Sequence, residues 1–188
     1  MTDADRTVLL AMDFQNGIAG DEAFAATGVL ERARDAVATA REHDIPVVWV
    51  RVALREGQPE LAATASFARI AAHGDVDETH ASTSIHETLG RRLGEPIVTK
   101  RRISAFTGSD LDVLLRGYGA SSLIVAGVAT SGVVLSTVRQ AADLDFELTV
   151  LSDACADRDP EVHTVLTEKV FPKQATVLTV ADWTTSLG

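Results

Sequence analysis

The 188-residue sequence predicts an α/β protein of three layers, a six-stranded parallel sheet with helices on both faces. Three observations predict it. Short apolar runs recur along the chain, and stretches with helical periodicity separate them. Residues 123–142 read as strand, small-residue turn and helix, the unit from which such sheets build a site. Charged residues also stand directly after two of the apolar runs, where a parallel sheet places its ligand.

Thr7–Met12 (TVLLAM) is the first strand, bounded by charge and ending on Asp13. Phe14–Ile18 follow as a loop. From Val29 to His43, the positions Val29, Leu30, Ala33, Ala36, Val37 and Ala40 make one apolar helix face. Ile45-Pro46 then turns the chain into a second buried strand, Val47–Val52. Residues 53–87 are rich in Ala, Thr and His. Within them Leu61–Ala72 is read as a helix, and the whole stretch as a lid or pocket wall.

Pro96–Thr99 is the third strand, ending at Lys100 with Arg101 and Arg102 behind it. Ser109 with Asp112 has the spacing of a capping box, opening a helix whose buried stripe is Leu111, Leu114, Leu115 and Tyr118. Gly117 and Gly119 stop it. Leu123–Ala126 is the fourth strand, and Val133, Val134, Val138 and Ala141 carry the helix after its turn. Phe146–Leu151 is the fifth strand. Asp159-Pro160 opens a helix with Val162, Val165, Leu166 and Val170 inward. Ala175–Val180 is the sixth strand, with Trp183 packing near the end.

The composition bounds the function. A hydrophobic fraction of 46% is ample for one core, and residues 1–188 are read as a single domain. The net charge of −10 argues against nucleic acid or an anionic membrane as partner. The one cysteine, Cys155, cannot form an internal disulfide, and no signal-peptide core or membrane span is visible; a cytoplasmic location is expected.

Strand ends carry the chemistry. Asp13 ends the first strand, Lys100 the third, and the turn Gly127–Gly132 follows the fourth. A carboxylate beside an ammonium in a partly dry cleft is held oriented and can act as a general acid or base.

Four segments carry a resemblance. LLAMDFQNGI (residues 9–18), VTKRRISAF followed by SDL (98–111), VAGVATSGVVLSTVRQA (125–141) and LSDACAD (151–157) occur in the order of the isochorismatase-like hydrolases, the cysteine-hydrolase superfamily. The chain resembles that family along nearly its whole length. The resemblance implies a Rossmann-like α/β/α fold, a small-molecule substrate, a homodimer or larger homo-oligomer, no cofactor, and a non-proline cis peptide at Val128-Ala129. It also implies an Asp–Lys–Cys triad, with the Asp at Asp13 and the Lys at Lys100. The cysteine of the GxxTxxC pattern falls on Val133, so the match fails at the nucleophile. The metal site of the family's nicotinamidases has no counterpart, because ALREGQPE follows Val52 and His73, His80 and His86 lack ligand spacing.

Valine has no nucleophilic atom, so three readings stay open. The first follows the family's isochorismatase branch, which also lacks the cysteine and hydrolyses a vinyl ether with the Asp as general acid. That branch carries a histidine where this chain has Ser131. The second is a binding protein that has lost the chemistry. The third is an amidase with a replacement nucleophile such as Ser131. Cys155 is read as a small buried hydrophobe on the turn after the fifth strand. Phe14 and Phe106 either wall the pocket or pack in the core. Gln15 is expected to hydrogen-bond substrate. Val128, Ala129 and Ser131 are expected to border it through the turn's backbone, and Arg101 and Arg102 either to pair with a substrate carboxylate or to lie as surface charges.

Overall fold

A computed structural model describes residues 7–62, 67–68 and 75–188. Its centre is a six-stranded parallel sheet in the order β3-β2-β1-β4-β5-β6. The strands are β1 (Thr7–Met12), β2 (Val47–Val52), β3 (Ile97–Lys100), β4 (Ser122–Val128), β5 (Glu147–Ala156) and β6 (Thr176–Leu178). The chain builds outward from β1 to β3, then returns to β4 on the other side of β1. The order reverses between β1 and β4, and a crevice opens there at the carboxyl ends of the strands.

The alternation of each strand divides the core in two. Leu9, Ala11, Val47, Trp49, Ile124 and Ala126 face the long helix Val29–Glu42, joined by Trp183 of the C-terminal helix Val180–Leu187. Val8, Leu10, Val48, Val50, Val125 and Val150 face the helices Leu111–Tyr118 and Leu135–Asp143. The stripe of the helix Val29–Glu42 buries the six predicted positions. Glu95 ties this layer to the loop before β3. It accepts from Arg41 Nε at 2.8 Å and from Trp49 Nε1 at 2.8 Å. Burial works against its charge, but these bonds and the Arg92 N–H hold its carboxyl below the usual range.

Several sequence expectations are corrected. Ser109 and Asp112 do not form a capping box: Asp110 is the N-cap and Asp112 pairs with Arg116 at 2.6 Å, one turn along. Ser109 Oγ instead donates to the Ala105 carbonyl at 2.6 Å. Tyr118 is exposed at the end of that helix, and Val162 and Val165 are exposed on the helix Pro160–Val165, where Leu166 is buried. Asp159 does cap this helix, accepting from Glu161 and Val162. The sixth strand is shorter than predicted, because Val180 opens a helix capped by Thr179. The expected helix Leu61–Ala72 lies largely outside the described residues.

The fifth strand differs most. It runs to Ala156 rather than stopping at Leu151, and its pairing moves from Val125↔Val150 to Gly127↔Cys155. Two steps along β4 match five along β5, so extra residues bulge and bend the strand. Cys155 therefore sits within β5, not on a turn, and burial pushes its thiol up to about 12. It is an apolar filler, as its residue type suggests.

Gly127 has a specific reason. It lies opposite Met12, and a Cβ there would stand 2.8 Å from the Met12 carbonyl oxygen and 3.0 Å from Met12 Cβ. Gly127→Ala should therefore destabilise the fold by roughly 1–3 kcal/mol through overpacking at the β1–β4 junction. Urea unfolding measures it; a change below about 0.5 kcal/mol would show that the strands part without cost.

Candidate active site

Asp13 leaves β1 with φ at +57°, a left-handed conformation that a non-glycine residue adopts against steric preference. Its N–H still donates to the Val50 carbonyl at 2.8 Å, so the strand ladder holds the backbone while the side chain turns across the sheet's end. Lys100 comes from β3, two strands away, a span of roughly 9–10 Å. Only a long side chain bridges it. Lys100 Nζ meets Asp13 Oδ2 at 2.9 Å and donates to the Arg102 carbonyl at 3.0 Å. Both residues are buried, with Lys100 at 2% exposure.

The second oxygen, Asp13 Oδ1, is buried without a hydrogen-bond partner among the described residues. A buried acceptor in that state is costly, and its neutral, protonated form is favoured. Burial pushes the Asp13 carboxyl above the ordinary range, while the charge and hydrogen bond of Lys100 pull it back. The carboxyl is thus held by Lys100 on one oxygen, while the other has no partner among the described residues.

The pair stands in a cleft of about 540 Å³. Val128, Ala129, Gly132 and Val133 form one wall, and the Val128-Ala129 peptide is cis. Thr130–Val134 is a wide turn leading into the helix Leu135–Asp143. It is anchored from below. The Ser131 N–H donates to Asp157 Oδ2 at 2.7 Å, and the buried Thr130 hydroxyl lies 2.9 Å from His163 Nδ1. Burial pushes the His163 imidazole down, against the nearby charge of Asp157. A larger depression of about 690 Å³ lies at the opposite, amino ends of the strands, beside Ser122 and Glu147. It contains neither member of the Asp–Lys pair.

The structure thus brings together Asp13, Gln15, Lys100, Val128, Ala129 and Val133. Other expectations are corrected. Phe14 does not wall the cleft: it is fully buried in the layer under the helix Val29–Glu42. Phe106 lies on the other face, its ring 6.2 Å from that of Phe146. Ser131 is exposed and outside the cleft lining. Gln15 borders the cleft, but its amide is engaged: Oε1 accepts from the Val52 N–H at 2.6 Å and Nε2 donates to the Val52 carbonyl at 3.0 Å. It completes the end of β2 where β1 turns away. Arg101 donates to the Ala53 carbonyl and Glu78, and Arg102 to the Arg101 and Glu60 carbonyls, so both brace loops.

Phe67 and Val76, from the stretch 53–87 read as a lid or pocket wall, supply apolar surface to the cleft. Ile18, Phe24 and Ile103 add to it, and Arg158 stands among the lining residues; these four were not foreseen. Arg158 follows the carboxyl end of β5, so the strand-end rule finds it once β5 is given its true length. His80 and His86 serve local turns, accepting from Ser82 and Thr88, while His73 lies outside the described residues. Among the described residues no group of three or more His, Cys, Asp or Glu could hold a metal ion, and no helix is long and apolar enough to cross a membrane.

A crevice at the switch point of a parallel α/β sheet thus holds a buried acid–ammonium pair beside the turn that follows β4. The chain belongs to the isochorismatase family: the model of the isochorismatase domain matches residues 7–182. The uncharacterized isochorismatase family protein YecD of Escherichia coli O157:H7 is 30% identical over 189 residues, covering 95% of each chain. A probable inactive nicotinamidase of Arabidopsis thaliana is also 30% identical, over 84% of each chain. The structure of an isochorismatase family protein from Burkholderia thailandensis superposes with a TM-score of 0.83 at 26% identity, covering 97% of this chain and 96% of that one.

Lys100→Met should leave a buried carboxyl with no cation and destabilise the protein by about 3 kcal/mol or more at neutral pH. The carboxyl pKa then rises further in the folded state. Its stabilising contribution is present below the unfolded value and lost as pH rises through the folded value, so the variant recovers toward pH 4. Adding Asp13→Leu should restore much of the loss at neutral pH. Urea unfolding across pH measures both effects; a pH-independent loss in the single variant would contradict the coupling.

Proposed function

We propose that this protein is a small-molecule hydrolase that forms no covalent enzyme intermediate, with Asp13 as general acid on a vinyl-ether bond. The observation that carries the reading is a buried acid with one oxygen unpartnered among the described residues, in a cleft whose wall includes the alkyl side chain of Val133, where the family resemblance puts the nucleophile. Val133 offers no atom that could take an acyl group. Asp13 gives its proton to the terminal vinyl carbon, leaving an oxocarbenium ion. Lys100 steadies the carboxylate left behind. Water adds to the cationic carbon and returns a proton to Asp13. The hemiketal then collapses, breaking the ether C–O bond to give a ketone and an alcohol. The apolar walls limit water around the acid and strengthen its interactions.

A second reading is favoured by Val133 itself: a binding protein that keeps the pocket without the reaction. The similarity to a probable inactive nicotinamidase supports considering it. A replacement nucleophile at Ser131 has less support, because that residue is exposed outside the cleft lining.

The test is pyruvate release from isochorismate in a coupled assay. Asp13→Asn should lower turnover by roughly a hundredfold or more, the scale of a lost general acid. Because burial raises the Asp13 pKa, the acid form persists above the ordinary carboxylate range, and kcat/KM should fall as pH climbs through that raised value. Retained turnover in Asp13→Asn, or a rate that rises through this range, contradicts the assignment. A ligand bound in the cleft and never transformed favours the second reading.

A further inference from the structure

Most polar groups lining the cleft are engaged elsewhere. Gln15 is held by both backbone groups of Val52. Asp75 accepts from the Asp77 N–H at 3.2 Å and lies 3.4 Å from His80 Nε2. The Ser82 hydroxyl bonds the Asp75 carbonyl and His80 Nδ1. Lys100 is buried against Asp13 and the Arg102 carbonyl.

Arg158 differs. Its guanidinium lies 5.3 Å from the centroid of the Phe24 ring, and both residues line the cleft. Its Nη2 donates to Asp21 Oδ2 at 2.9 Å. Among the described residues its Nε and Nη1 have no acceptor. The contacts on either side fix the head group: the ring supports one face and Asp21 holds one edge. Asp21 is itself fixed, because its other carboxylate oxygen caps the short helix Glu22–Ala25 by accepting from the Ala23 N–H. An oriented cation with donors left over therefore stands at the open side of an apolar cavity.

We propose that Arg158 is a specificity-determining residue, selecting substrates that present a carboxylate to its side of the cleft beside an apolar body. The inference rests on reading this cleft as a substrate site. Phe24, Phe67, Val76, Ile18 and Ile103 accommodate the body. The carboxylate takes the free donors of Arg158 in charge-assisted hydrogen bonds. A cationic substrate meets Arg158 as a like charge, and an uncharged one leaves its donors unused.

The test uses binding alone. Benzoate, phenylacetate and 3-phenylpropionate are titrated calorimetrically against wild type, each beside its carboxamide. The best acid should bind about tenfold tighter than its amide, the scale of one charge-assisted interaction. Arg158→Gln should erase that preference and leave amide affinity unchanged, and Arg158→Glu should invert it. Arg158 is largely exposed, with a side-chain exposure of 61%, and thermal melts confirm that the variants fold. The inference is overturned if amides bind as tightly as acids, if no acid binds at millimolar concentration, or if Arg158→Gln keeps the preference. No reaction is needed for this readout. Retained turnover in Asp13→Asn would therefore overturn the catalytic reading and leave the carboxylate preference standing.

Discussion

The ion pair between Asp13 and Lys100 is the constraint around which the rest of the structure is arranged. It joins the ends of two strands that are not neighbours, across the end of β2. Three features make that geometry possible. Asp13 takes a left-handed backbone, the Gln15 amide closes the exposed end of β2, and Gly127 lets β4 approach Met12. Each is a local departure from regular sheet structure, and each stands within a few residues of the site. Strain of this kind persists only where the surroundings hold it, and here two buried apolar layers do so.

The pair is also what the proposed chemistry draws on. Lys100 engages Oδ2, and Oδ1 has no partner among the described residues, in surroundings that favour the protonated form. In the proposed reaction that oxygen carries the proton, and Val133 in the cleft wall takes no part in bond making. The wall it belongs to is braced independently, by Asp157 on the Ser131 N–H and by His163 beside Thr130. The turn therefore keeps its shape without a catalytic residue to position. An alkyl group there suits a reaction in which water, rather than the enzyme, supplies the attacking oxygen.

Much of this was legible in the sequence. The six strands follow from apolar runs, because a sheet covered on both faces must be apolar on both. Asp13 and Lys100 follow from the rule that ligands gather at strand carboxyl ends. The misreadings have common physical causes. Phe14 and Phe106 lie next to site residues in sequence, but alternation and the turn at Asp13 send them to opposite core layers. Gln15 and Arg101 have the right chemistry for substrate, yet unpaired backbone groups at Val52 and Ala53 take their hydrogen bonds. Arg158 was missed because SDAC is polar and reads as a turn, whereas a bulge carries β5 through it. Ile18 and Phe24 come from single-turn helices too short to show a period.

The proposed acid role of Asp13 depends on the protonation of one carboxyl group. Its most direct test is the pH titration of the Asp13 side-chain carboxyl carbon by NMR, assigned by the signal lost in Asp13→Asn. Titration clearly above the ordinary aspartate value of about 3.9 is the predicted result, since burial outweighs the pull of Lys100. Titration at or below that value would mean that the ion pair keeps Asp13 ionised near neutrality, and it could not serve as the acid.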